Sequence, residues 1–228
     1  MVLIFDLDDT LYDEISFVKS GLRAVAKYGE SSFGWDSNDS FNFMFNYLSV
    51  HGRIKVFDEW LFHHNHYSAR KVDICLKIYR HHYPDIFLYS QAAKIIQKYN
   101  NKLPIYLVTD GHKITQKNKI TALNLESCFK RIFITHRYGV KNAKPSLHCF
   151  EIIKRLECCQ WSEMIYVGDN PAKDFVNLNK MGALTVRVRT GSYSSVQALP
   201  GYDGTFKIPD LDFLPHVLHQ LEISSRSN

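Results

Sequence analysis

Val2-Leu3-Ile4-Phe5-Asp6-Leu7-Asp8-Asp9-Thr10 opens the chain with four apolar residues that run directly into an acid-rich turn ending in threonine. A short apolar run closed by polar turn residues is the signature of a strand buried on both faces of a parallel sheet. In such sheets ligands bind beyond the carboxyl ends of the strands, so Asp6 and Asp8 stand where chemistry is done. Their side chains are one strand period apart and share a face if strand geometry continues that far. Like charges so close are costly unless a cation or a shared proton relieves them. A hard divalent ion with oxygen ligands, such as Mg2+, is the matching partner. Taken alone, the turn reads more readily as a cap for the next helix.

Outward from this stretch, the chain from Ser90 alternates between the two periodicities. A helix to about Tyr99 precedes a strand over Pro104–Val108 that ends in Thr109-Asp110-Gly111. There follow a helix near Thr115–Leu123, a strand Arg131–Thr135, a helix Ser146–Leu156 and a strand Met164–Val167 ending in Gly168-Asp169. A helix over Ala172–Met181 leads to a last core strand, Leu184–Val188, and a final helix spans about Leu211–Leu221, with a mobile polar tail after it. Such alternation predicts an α/β fold, a doubly wound, parallel, Rossmann-like sheet with helices on both faces. Between Tyr12 and Tyr89 the alternation is missing. Helical spacing recurs at Phe17–Tyr28, Phe41–Ser49, Phe57–His66 and Ala69–Tyr83, until Pro84 stops it. The expected organisation is therefore a core of residues 1–12 and 90–228, with a helical domain, 13–89, inserted after the first strand.

Composition bounds the function. The 228 residues are 45% hydrophobic and 22% charged, ample for a buried core. No apolar run is long enough for a bilayer and the apolar start reaches Asp6 too soon for a secretory signal, so the expected location is the cytosol, away from membranes. The five cysteines are odd in number and lack zinc-type pairing, which favours free thiols. The net charge of +5 is scattered and not massed in a block, so attraction of phosphorylated small molecules fits it as well as nucleic acid does, and no nucleic-acid partner is expected. The histidines His63, His64, His66, His81 and His82 read as solvated helix-face residues, and the aromatics Phe41, Phe43, Phe45, Tyr47, Trp60 and Phe62 as mostly core of the inserted domain.

Three strands thus end in residues suited to phosphoryl chemistry, and a lysine follows a fourth. Thr109-Asp110-Gly111 offers a hydroxyl and backbone N–H groups at a strand end before a helix, able to hold phosphate oxygens. Lys144-Pro145-Ser146 brings a cation that could neutralise a nucleophilic carboxylate and a phosphate together. Gly168-Asp169 supplies another carboxylate, and Asp174 follows about one helical turn on. The first two signals are weak alone and the Gly168–Asp174 segment is moderately specific; their order together is highly specific.

The set resembles the four motifs of the haloacid dehalogenase superfamily, over residues 1 to about 190. Asp6-Leu7-Asp8-Asp9-Thr10 matches the first, Thr109 the second, Lys144 the third, with Lys141 in reserve, and Gly168-Asp169 with Asp174 the fourth. The resemblance implies a Mg2+-dependent phosphatase with a helical cap of the first class. Asp6 would be the nucleophile that becomes an aspartyl-phosphate, and Asp8 the acid that protonates the leaving alcohol and then activates water. Mg2+ would sit on the Asp6 side chain, the Asp8 carbonyl and Asp169, with Asp174 behind them; Thr109, Asp110, Gly111 and Lys144 would hold the phosphoryl group. Crowding by Asp6 and phosphate should push the Asp8 pKa upward. Retention of Asp8 sets the chain apart from the dehalogenases proper, whose halide leaves without a proton. Hinges are expected near Tyr12–Glu14 and Pro84–Ser90. The substrate expected is a small sugar, polyol or nucleoside phosphate, handled by a monomer or homodimer. A sugar phosphomutase of the same superfamily is the enzymatic alternative and a non-catalytic binding protein the other.

Overall fold

A computed structural model describes residues 1–226. Six parallel strands form one sheet: β1 (Val2–Phe5), β2 (Ile105–Thr109), β3 (Arg131–Ile134), β4 (Met164–Gly168), β5 (Leu184–Val188) and β6 (Phe206–Ile208), in the order β3-β2-β1-β4-β5-β6. Val2, Leu3, Ile4 and Phe5 are all buried, as are all five residues of β2 and of β4. A strand covered on both faces requires such continuous apolar runs. The chain leaves β1 on one side and returns through β2 and β4 on either flank, which creates the switch point where a doubly wound sheet binds ligands.

Register fixes what meets there. Phe5 pairs with Leu107 on one side and Val167 on the other, so Asp6, Thr109 and Asp169 emerge at neighbouring levels from three adjacent strand ends. The Asp6 N–H still donates to the Val167 carbonyl at 2.9 Å. Beyond it the strand does not persist: Asp8 makes only an isolated bridge to Tyr12, and Asp9 turns to φ +54°. Asp6 and Asp8 take different partners beyond this point, Lys144 for Asp6 and Lys119 for Asp8.

Helices α1 (Glu14–Phe33), α2 (Ser37–His51), α3 (Val56–His63) and α4 (Ala69–His81) precede α5 (Ser90–Tyr99), and α6 (Lys113–Ala122), α7 (His148–Leu156), α8 (Val176–Lys180) and α9 (Leu214–Arg226) follow between and after the later strands. The chain separates into two compact units, Met1–Glu14 together with the chain from Phe87 onward, and Ile15–Ile86. Within the helical unit, a Cβ at Gly29 would lie 2.7 Å from the Trp60 ring and one at Gly21 would lie 2.5 Å from Tyr79, so small residues on α1 let α3 and α4 approach it. Of the aromatics expected in that core, Trp60 is buried while Phe62 is exposed and Phe41, Phe43, Phe45 and Tyr47 are half-buried. Phe41 and Phe45 stack on each other at 5.7 Å, with Arg23 and Lys19 over their faces. Cationic stems, not core packing, cover those rings. His64 stacks on Trp35 at 3.9 Å, and no metal-binding group of histidines occurs among the described residues.

Three local expectations need correction. The helix expected at Ala172–Met181 shrinks to α8, because residues 170–175 are spent on turns in which the Asn170 and Lys173–Asp174 peptides serve the site described below. A sixth strand, β6, follows Leu184–Val188; it is only three residues long and is recruited by pairing, not by pattern. Arg187 holds the intervening loop by donating to Asp203 and to the Tyr193 and Val196 carbonyls. The last helix runs to Arg226, past the expected Leu221, and the rest of the polar tail lies outside the described residues. All five cysteines are free, and no described helix is long and apolar enough to cross a membrane.

Candidate active site

Lys144 is the hub of the first half of the site. Its Nζ donates to Asp6 Oδ1 at 2.7 Å, Asp174 Oδ1 at 2.8 Å and Tyr166 Oη at 2.8 Å, which uses all three ammonium protons. Lys144 is buried, whereas Lys141 is exposed on its short helical turn. Tyr166 rises from the middle of β4 and donates in turn to Asp174 Oδ1 at 3.2 Å. The Asn170 N–H fixes the other Asp174 oxygen at 2.9 Å. A Cβ at Gly168 would stand 2.6 Å from Asp174 Oδ2, so the strand must end in glycine for this carboxylate to fold back. Asp174 therefore stands with Asp6 and Asp169: all three are buried, and one oxygen from each lies within 4.8 Å of the others.

Such a group is short of positive charge. Burial pushes the Asp6 carboxyl up to about 7, with Lys144 pulling it down and Asp174 raising it again. Burial and the neighbouring Asp174 and Asp6 take Asp169 to about 9. For Lys144, burial opposes its charge but is outweighed by Asp174 and Asp6, which hold its pKa well above the ordinary lysine value. Carboxylates in this state are the donor set a hard dication fits: oxygen ligands only, preassembled, and relieved of mutual repulsion by added charge.

Asp110 does not point into this space with a free carboxylate. Its Oδ1 accepts from Thr135 Oγ1 at 2.7 Å and from the Lys144 N–H at 3.1 Å, and its Oδ2 from Lys173 Nζ at 3.1 Å. Burial disfavours its charge, yet Lys144 and Lys173 hold its pKa below the usual range. Asp110 thus braces the loop that presents Lys144.

Asp8 faces a second lysine. Its Oδ1 accepts from Tyr12 Oη at 2.5 Å and from Lys119 Nζ at 2.6 Å, and its Oδ2 from Gln116 Nε2 at 2.9 Å. The same Gln116 amide donates to Thr109 Oγ1 at 2.6 Å, which leaves the buried threonine its own proton to give. Gly111, at φ +134°, backs directly on the Gln116 side chain, 3.1 Å from where a Cβ would be. Burial would raise the Asp8 pKa, but Lys119, Tyr12 and Gln116 together lower it.

Lys119, Gln116, Tyr12, Tyr166, Thr135 and Lys173 were not legible as site residues. In the structure Gln116 and Lys119 are buried with Thr115 and Ile120 on one face of α6, an unusual place for a lysine that residue spacing did not announce. Asp9 ties distant segments together: its carboxylate accepts from the Glu14 N–H and from the Ser192 N–H, each at 2.9 Å.

A family model described as haloacid dehalogenase-like hydrolase matches residues 3–188. The glyceraldehyde 3-phosphate phosphatase of Methanocaldococcus jannaschii is 26% identical over 205 residues, 86% of this chain and 87% of that one. The protein of the same name from Pyrococcus furiosus is 24% identical over 235 residues, covering 96% and 93%. Among solved structures, the HAD-hydrolase YfnB of Bacillus subtilis bound to magnesium superposes with a TM-score of 0.70 at 19% identity, covering 95% of this chain and 97% of that one.

Proposed function

This chain belongs to the haloacid dehalogenase-like hydrolases, and on that premise we propose that it is a Mg2+-dependent phosphatase that hydrolyses a small phosphomonoester through an aspartyl-phosphate on Asp6. The observation that carries the reading is Lys144, which binds Asp6 and Asp174 at once inside a buried group of three carboxylates. Asp6, Asp169 and Asp174 would hold the ion, with the Asp8 carbonyl as the further ligand suggested by the family pattern. When bound, Mg2+ supplies the positive charge that lets an anionic nucleophile approach a dianionic phosphate.

The chain's own residues do the rest. Lys144 pulls the Asp6 pKa down against burial and aims the carboxylate; Thr109 offers its remaining proton to a phosphoryl oxygen; the Asp110-Gly111 turn adds backbone N–H groups at the strand end. Asp8 gives a proton to the leaving oxygen and later takes one from water. A carboxyl so well supplied with donors is a strong acid once protonated, and an arriving dianionic phosphate opposes the depression of its pKa. The helical unit Ile15–Ile86 is the candidate cap that selects the leaving group. Relatives named glyceraldehyde 3-phosphate phosphatase support a small phosphosugar as substrate, with polyol and nucleoside phosphates next.

The test is phosphate release from glyceraldehyde 3-phosphate, glycerol 3-phosphate and nucleoside monophosphates, with Mg2+ and with chelator. Asp6→Asn should lower kcat at least about 10^4-fold. Quenched wild-type enzyme should carry the phosphate on Asp6 by mass spectrometry. Undiminished turnover by the variant would sink the mechanism.

A further inference from the structure

We propose that Gln116 and Lys119 are positioning residues for Asp8, which lock its carboxylate so that only Oδ2 can exchange a proton with the substrate; this rests on the phosphatase reading. A carboxylate has about two lone-pair sites per oxygen. Asp8 Oδ1 has both filled, by Tyr12 Oη at 2.5 Å and Lys119 Nζ at 2.6 Å. Asp8 Oδ2 has one filled, by Gln116 Nε2 at 2.9 Å, and keeps one open.

The placement follows from helix geometry. α6 starts two residues after Gly111, and helical side chains lean toward the helix N-terminus. Residues three apart on one face, Gln116 and Lys119, therefore reach back over the strand ends. Both amide protons of Gln116 are committed, one to Asp8 Oδ2 and one to Thr109 Oγ1 at 2.6 Å. The amide cannot turn without breaking one of them, so the acid and the phosphoryl-holding hydroxyl are tied to each other. Gly111 supplies the room: any Cβ there would press on the Gln116 side chain. Lys119 is 3% exposed, with its Nζ 4.0 Å from Glu14 Oε1 as well, so it is a fixed charge and not a wandering surface ammonium.

An Asp6 oxygen forms a bond to phosphorus while the bond from phosphorus to the leaving oxygen breaks, and the proton on Asp8 Oδ2 passes to that oxygen, releasing the alcohol. Water then attacks phosphorus, the Asp6–phosphorus bond breaks, and Asp8 Oδ2 takes a proton from the water as inorganic phosphate leaves. Lys119 faces the carboxylate form of Asp8 between the two steps, and Gln116 keeps Oδ2 on the substrate side throughout.

The experiment compares kcat/KM for glycerol 3-phosphate, whose alkoxide needs a proton to leave, with 4-nitrophenyl phosphate, whose phenolate does not. Lys119→Met and Gln116→Met should each lose about 100-fold on the alkyl ester and under about 10-fold on the aryl ester, as expected for loss of general-acid help in one step. Lys119→Arg, which keeps the charge, should recover most of the alkyl activity. Equal losses on both esters, or no loss on either, would overturn the proposal. Circular dichroism checks folding, and if Lys119→Met does not fold, Gln116→Met alone decides. The parent reading fails separately: it falls if wild-type protein releases phosphate from neither ester or if Asp6→Asn retains activity on both.

Discussion

The two buried lysines of the core, Lys144 and Lys119, solve opposite problems. Around Lys144 stand Asp6, Asp169 and Asp174 with one ammonium among them, and two of the three carboxyls are pushed up to about 7 and about 9. Around Lys119 the Asp8 carboxylate is surrounded by donors and its pKa is lowered. The first arrangement is electrostatically incomplete and suits an added cation; the second is complete and suits an acid that must be aimed. Both sit at the ends of adjacent strands, so sheet position alone does not predict the difference. Who donates to each oxygen does.

Lys144→Met should be the most damaging: activity should fall about 10^2- to 10^3-fold and, in chelator near neutral pH, urea denaturation should show about 3–5 kcal/mol less stability, because unpaired buried carboxylates remain. A variant as stable as wild type would mean the three acids are not held together by this charge. Next in size is the response to Mg2+. Asp6 and Asp169 have folded pKa values above their ordinary range, so the native state binds more protons than the unfolded chain between about pH 4 and 9, and metal-free stability should fall as pH rises through that window. Thermal melts should therefore show a larger gain from Mg2+ near pH 9 than near pH 5, about 2.7 kcal/mol when the ion is a hundredfold above its Kd. A gain that shrinks with rising pH would contradict the assignment.

Gly111→Ala touches the other side. The positive φ and the crowding of Gln116 should cost about 1–3 kcal/mol, read as a lower Tm. The smallest effect belongs to another lysine of α6, Lys117, which pairs with Glu126 although both are about half exposed. Lys117→Ala should change stability by under about 0.5 kcal/mol in the same melts. A larger loss would show that burial is not what separates these lysines.

Much of this was written in the chain. The apolar runs before Asp6, Thr109 and Asp169 announce a parallel sheet, because a strand covered on both faces has no use for polar residues. The strand ends then name the acids, the threonine and, with Pro145 behind it, the lysine. What stayed hidden were partners supplied across long separations: Lys119 and Gln116 lie more than 100 residues from Asp8, and β6 is defined by its neighbour more than by its own three residues.

The sequence by itself determined the layered α/β core, the strand ends that bear functional groups and the identity of the residues placed there, since periodicity and chain direction are local properties. Only the tertiary structure decided that Asp6 and Asp8 pair with different lysines, that Asp174 folds back beside Asp6, and that one acid is starved of positive charge while the other is surrounded by donors. Burial and hydrogen bonding between distant segments set those outcomes, and neither is encoded in the spacing of residues along one strand.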